Sequence, residues 1–188
     1  ACQHDLEHRT RSERSVHLIG IARLFRAYFY YDKVTTFGDV PWIDKPLDVD
    51  DEELYAPRDS RELVMENVYK DLEFACSNIT TTTDPTGSMV TKWVAYALAS
   101  RICLFEGTFR KYHNLSLTTT ANTWLQRAVT MSEYLMNNSG KKLYTAAGTK
   151  KSYRALFTSD NPLTDEVIMA VVSSAELGVL HHANWKWT

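Results

Sequence analysis

Aromatic and polar side chains alternate in residues 181–187, which read His-His-Ala-Asn-Trp-Lys-Trp. Flat indole faces stack on the C–H faces of sugar rings, and Asn or His side chains bond sugar hydroxyls. This mixture is therefore what a carbohydrate-binding surface requires. The competing interpretation is that Trp185 and Trp187 pack against another part of a larger protein.

Two patterns that resemble metal sites lack the required spacing. His181 and His182 are adjacent rather than three or four residues apart on a helix, and no cysteine or carboxylate cluster accompanies them. The acidic run 48–53 lacks the glycine and the terminal glutamate of an EF-hand loop. We expect a solvated charge run there, and we predict neither a metal nor a cofactor.

The sequence contains no Ser-His-Asp arrangement, phosphate-binding loop or nucleophile elbow. A helical glycosidase would need two carboxylates held across a sugar-sized gap, and the sequence alone leaves such a pair open. Most Asp and Glu residues fall on predicted solvent-facing helix positions or in the acidic run. We therefore predict a binding protein rather than an enzyme.

Composition narrows the class of protein further. The 188 residues carry a formal net charge of -2, so no basic field favours nucleic acid. No run approaches the roughly 18 apolar residues of a membrane helix, and Ala1 to Thr10 is polar rather than a signal core. Cys76 and Cys103 fall in helical patterns, where a free cysteine behaves as a small buried hydrophobe.

The elements that would position these residues are mostly helices. Apolar residues at Leu18, Ile21, Phe25 and Phe29 predict a helix over 12–37 with one buried stripe. Gly38 ends it, and a long irregular connection follows. We expect Trp42 in that connection to pack in the core and most of residues 28–31 to lie in a core or an interface.

Three further helices follow. Asp59 or Ser60 can cap the second, Thr91 opens the third, and Asn122 or Thr123 begins the fourth. Their predicted inward residues are Val64, Val68, Leu72, Ala75 and Ile79; Val94, Leu98, Ile102 and Phe105; and Leu125, Ala128, Val129, Ser132 and Leu135. The third and fourth helices resemble one degenerate tetratricopeptide unit. A short helical turn over 153–157 and a β-strand over 166–172 complete the expectation.

Several blocks in order resemble the SusD/RagB family. The longest is Ala22-Arg23-Leu24-Phe25-Arg26-Ala27-Tyr28-Phe29-Tyr30-Tyr31-Asp32, followed by Phe37-Gly38-Asp39-Val40-Pro41 and later by Leu104-Phe105-Glu106-Gly107-Thr108-Phe109-Arg110. Ile21 departs from the glutamate that often precedes the Ala-Arg pair in this family.

The resemblance implies an all-α, tetratricopeptide-like fold with long loops and a minor β-strand, and it covers nearly the whole chain. Residues 1–188 would form a partial SusD-like domain, with helices over 12–140 and a short helix, strand and ligand-side loop over 141–188. The implied function is to capture oligosaccharide on the outer-membrane surface and pass it to a SusC-like TonB-dependent transporter. The implied membrane attachment is an N-terminal lipid that precedes this chain.

In this family the loop after the predicted strand contributes to the ligand surface, so we expect Trp185, Trp187, Asn184 and His182 to contact the ligand. The alternative is a tetratricopeptide-type adaptor that binds a peptide or protein. Such adaptors typically show several regular repeats of about 34 residues, whereas this chain has one good repeat and irregular loops.

Overall fold

The computed structural model describes the backbone of residues 2–173 and of Gly178, and the side chains of residues 12–173. Five α-helices are present in this part of the chain: α1 (Cys2–Phe37), α2 (Arg61–Asn78), α3 (Lys92–Tyr112), α4 (Ala121–Asn138) and α5 (Ser152–Thr158). A single turn of 3-10 helix, Glu52–Tyr55, interrupts the loop between α1 and α2. The all-α prediction is confirmed.

The chain divides into two compact units. The helical unit comprises Ala1–Thr82 and Thr91–Ser139, and the second unit comprises Thr83–Val90 with the residues from Gly140 onward. Within the helical unit, α1 packs along α2 and α3 packs along α4, while α2 meets α3 over a shorter stretch. Two helical hairpins therefore lie side by side.

Hydroxyl side chains cap three of these helices. Ser60, Thr91 and Thr120 accept hydrogen bonds from the backbone N–H groups three residues later. These bonds satisfy N–H groups that have no partner within the helix. Ser60 and Thr91 were predicted at their positions, whereas α4 begins one residue earlier than the predicted Asn122.

The apolar stripe predicted for α2 is confirmed, because all five of its residues are buried. The stripe predicted for α1 is wrong. Leu18 is 58% exposed and Phe25 and Phe29 are also exposed, whereas Leu24 is only 2% exposed. The face of α1 that meets α2 consists of residues rotated around the helix: Gly20, Leu24, Ala27, Tyr30 and Val34.

The buried faces of α3 and α4 also differ in part from expectation. On α3, Ala95, Ala99 and Ile102 are fully buried. Ile102 was predicted to face inward, whereas the predicted Val94 and Leu98 are only half-buried. On α4 the most deeply buried residue is Trp124, and Ala128 is buried as predicted. Gly107 explains the close approach of these helices, because a Cβ there would lie 2.8 Å from Cγ of Leu125.

In the second unit, the predicted helical turn is confirmed as α5, but the predicted strand is absent. Residues 166–172 are irregular: the N–H groups of Glu166 and Val167 donate to the Leu163 carbonyl in a turn, and the Ala170 N–H donates to the Gly87 carbonyl. A β-branched sequence cannot form a strand without a neighbouring strand to supply a ladder of hydrogen bonds. None of the described residues offers one. Nor does any described helix have the length and apolarity needed to cross a membrane.

Candidate functional site

The four predicted ligand residues, Trp185, Trp187, Asn184 and His182, lie outside the described residues. Their role therefore stays a prediction. The described part contains other groups that could bind a ligand or do chemistry, and these are the loop between α1 and α2, three arginine–carboxylate clusters and an exposed aromatic pair.

The loop after α1 is held against that helix by Tyr30. The Tyr30 hydroxyl donates to the Ile43 carbonyl over 3.0 Å and accepts from the Ile43 N–H over 2.7 Å. The half-buried Trp42 ring lies 4.3 Å from the Tyr30 ring, measured between centroids, and the Arg26 guanidinium lies 5.1 Å from the centroid of the Trp42 ring. Trp42 therefore packs on Tyr30 and supports the loop, but it stays half-buried and does not reach the core position that was expected.

Residues 28–31 divide between the two sides of α1. Tyr30 is buried and Tyr31 is half-buried against Phe105, but Tyr28 and Phe29 are exposed. The expectation that most of these four residues lie in a core or an interface therefore holds for only two of them. Four consecutive helical residues point in four directions, which prevents them from forming one flat platform.

The first arginine–carboxylate cluster lies between α2 and α3. Glu106 is fully buried and accepts from Arg61 on α2 at 2.7 Å and from Arg110 at 2.7 Å. Arg110 also donates to Glu62 at 3.0 Å, and the Arg61 guanidinium covers the Phe109 ring at 3.9 Å. Both oxygens of the Glu106 carboxylate are thus engaged by guanidinium groups, which gives this side chain a structural role between α2 and α3.

The second cluster links α2 to α4. Arg127 donates to both oxygens of Glu66, at 2.9 and 3.1 Å, and stacks over the rings of Tyr69 and Trp124. Burial by itself would raise the pKa of Glu66, but the hydrogen bonds from Arg127 and Thr119 outweigh it and lower that pKa below its ordinary value. Burial, followed by the Glu73 carboxylate, raises the pKa of Tyr69, so this phenol stays neutral.

The third cluster links α2 to α1. Arg26 donates to both carboxylate oxygens of the buried Asp71, at 2.6 and 2.8 Å, and Arg23 lies beside it while covering the Phe74 ring. All three clusters join residues that are far apart in the sequence. They fix how the helices are arranged.

The acidic run behaves as predicted. Its side chains are mostly exposed, and Lys45 forms an ion pair with Glu53. No group of His, Cys, Asp or Glu side chains suited to a metal ion occurs in the part of the chain that the structure describes.

An aromatic pair on α5 is the described feature best suited to a sugar ring. Tyr153 and Phe157 are 79% and 69% exposed, and their ring centroids lie 5.0 Å apart at 55°. The sequence prediction found the helical turn but did not identify this pair. The available signal was the spacing of four residues between the two rings, which places them side by side on a helix.

Comparison with known proteins gives one family. The SusD-like model described as starch-binding associating with outer membrane matches residues 4–104, which is more than half of the chain. The match covers α1, the loop that Tyr30 holds, α2 and the first half of α3. No curated protein and no solved structure matches the chain.

Proposed function

Because this chain belongs to the SusD-like family of starch-binding, outer-membrane-associated proteins, we propose that it captures oligosaccharide and delivers it to a SusC-like TonB-dependent transporter. The observation that carries this proposal is the family match over residues 4–104. A non-enzymatic role fits the clusters described above, in which the carboxylates nearest the core are bonded to arginines. Binding without bond cleavage requires no free acid or base.

Within this proposal, Trp185 and Trp187 stack on sugar rings, and Asn184 and His182 bond sugar hydroxyls. The protein acts on the extracellular face of the outer membrane, held there by an N-terminal lipid outside this chain. Residues 1–188 form a partial SusD-like domain, in which 12–140 supply the helical scaffold and 141–188 lead into the ligand-side loop.

Affinity electrophoresis tests the binding function. The full chain and its Trp185→Ala and Trp187→Ala variants are run through native gels that contain starch, plant, host or microbial polysaccharides. We expect at least one polymer to retard the full chain, and either substitution to weaken the retardation by about tenfold through loss of one stacking face. Tyr55→Ala serves as the control, because Tyr55 is an 88% exposed aromatic residue in the helical unit.

Two results would count against the proposal. If no polysaccharide retards the chain, a peptide or protein ligand becomes the better explanation. If retardation survives both Trp substitutions, the binding function stands but the assignment of Trp185 and Trp187 falls.

A further inference from the structure

The short helix α5 has two chemically different sides. Its inner side consists of the buried Ser152 and the half-buried Ala155 and Leu156. Its outer side consists of Tyr153, Arg154 and Phe157, all exposed. Residues three positions apart are neighbours on a helix, so Arg154 shares a face of α5 with Phe157. The outer side therefore presents two rings beside one guanidinium group.

The surrounding segment is strongly cationic. Between Gly140 and Ser159 the chain has five lysine and arginine residues and no aspartate or glutamate. Lys141 is engaged, since its ammonium donates to the carbonyls of Thr164 and Val167. The other four cations are exposed, and within the described part of the chain none of them forms an ion pair: Lys142, Lys150, Lys151 and Arg154.

Lys150 is a second exposed cation, in the turn just before α5. It precedes Tyr153 by three residues and Arg154 by four, in a turn that leads directly into the helix. That turn is ordered, because the N–H groups of Lys151 and Ser152 both donate to the Gly148 carbonyl. Asp160, the next acidic residue, comes only after α5 has ended. The two exposed rings therefore belong to a short segment that also carries exposed cations and no acidic residue.

We propose that the outer side of α5 is a subsite for an acidic sugar, whose ring stacks on Tyr153 and contacts the tilted Phe157 ring while its carboxylate or sulfate pairs with Arg154 and Lys150. This inference rests on the proposed glycan-binding function and adds the chemical class of the ligand. A guanidinium matches the geometry of a carboxylate or sulfate, whereas a neutral sugar leaves both cations without a counter-charge. Stacking then selects a saccharide over a free inorganic anion.

The test compares polymers that differ only in charge. Polygalacturonate is compared with its methyl ester, and dextran sulfate with dextran, in native affinity gels of the full chain. We expect the charged member of at least one pair to bind several-fold more tightly, and added salt to reduce that difference. Which pair shows the preference distinguishes a carboxylate from a sulfate.

Substitutions on α5 connect the preference to these residues. Arg154→Gln should weaken binding of the charged polymer about fivefold, as loss of one exposed ion pair does, and leave the neutral polymer unaffected. Tyr153→Ala should weaken the binding of both the charged and the neutral polymer of that pair. Lys142→Gln is the matched control, because it removes one exposed cation of the same segment that lies outside α5.

Three results overturn the inference. The first is equal binding of the charged and neutral polymers. The second is an Arg154→Gln effect no larger than that of Lys142→Gln, which would indicate a diffuse charge effect. The third is preferential binding of poly-glutamate over every acidic saccharide, which would indicate an acidic peptide. If neutral polysaccharides still bind through Trp185 or Trp187, the proposed function survives, whereas binding of no polysaccharide overturns both.

Discussion

The Nε atom of Arg110 donates to Oε1 of Glu106 across 2.7 Å, and both side chains, one helical turn apart on α3, are fully buried. Arg61 on α2 shares the same carboxylate. A pair that is removed from water must be complete, because each partner offsets the desolvation of the other. The Arg61–Glu106 contact therefore joins α2 of one helical hairpin to α3 of the other only as long as Glu106 is present.

Glu106→Ala should lower the free energy of unfolding by about 3–5 kcal/mol, since it leaves the buried Arg110 without its main counter-charge. Urea unfolding followed by circular dichroism measures this change. Lys45→Ala is the control: it breaks an exposed ion pair and should leave the urea midpoint of unfolding unchanged. A Glu106→Ala protein as stable as the parent would show that the cluster is not a structural joint.

Glu66 should make the protein sensitive to acid. Its pKa in the folded protein lies below the ordinary 4.5, so its pair with Arg127 contributes stability that is complete above 4.5 and is lost as the pH falls through the folded pKa. Unfolding midpoints measured between pH 3 and pH 7 should therefore change less in Glu66→Gln than in the parent. An identical pH profile for the two proteins would assign the acid sensitivity to other carboxylates.

The two helix cysteines should be unreactive in the folded protein. Both are free and buried, as predicted from the sequence, and burial raises the pKa of each thiol to about 12. Because the thiolate is the reactive form, iodoacetamide at pH 8 should label Cys76 and Cys103 only after unfolding. A Cys2→Ser background restricts the readout to these two residues, and rapid labelling without denaturant would contradict their burial.

Tyr30→Phe should loosen the loop between α1 and α2 while leaving the helices intact. The substitution removes the one hydroxyl that both donates to and accepts from Ile43, at a cost of about 1–2 kcal/mol. Trypsin should then cleave at the exposed Arg58 several times faster than in the parent. Tyr28→Phe is the control, because that residue is exposed, and equal cleavage rates in all three proteins would exclude Tyr30 as the anchor.

The exposed side of α1 should make the 188-residue chain self-associate. Leu18, Phe25 and Phe29 are each about half exposed and form an apolar stripe, and such stripes promote association. In sedimentation velocity, Phe25→Ser and Phe29→Ser should each shift the chain toward monomer. Leu104→Ser is the control, because it replaces an exposed apolar residue on α3, and its effect should be smaller. A monodisperse monomeric parent would contradict this expectation.

Some of the candidate sites could be recognised locally and others could not. The rings of Tyr153 and Phe157 are four residues apart, so their contact is visible in the sequence once α5 is recognised as a helix. By contrast, Arg26 meets Asp71 and Arg61 meets Glu106, each across 45 residues. Local spacing contains no information about such partners, because they meet only after two helices have packed.

By itself, the sequence determined the four long helices except for the start of α1, which begins at Cys2 rather than at the predicted Ser12. It also determined the caps at Ser60 and Thr91, the buried stripe of α2 and the family, because caps, periodicity and motifs act between residues close in the chain. Only the tertiary structure decided which side of α1 faces inward. Both of its stripes are apolar, and the side that contains Gly20 and Ala27 is buried because small residues let α2 approach closely. In the tertiary structure, residues 166–172 also have no neighbouring strand among the described residues. A β-branched segment supplies only one strand, and a sheet needs a second strand to pair with it.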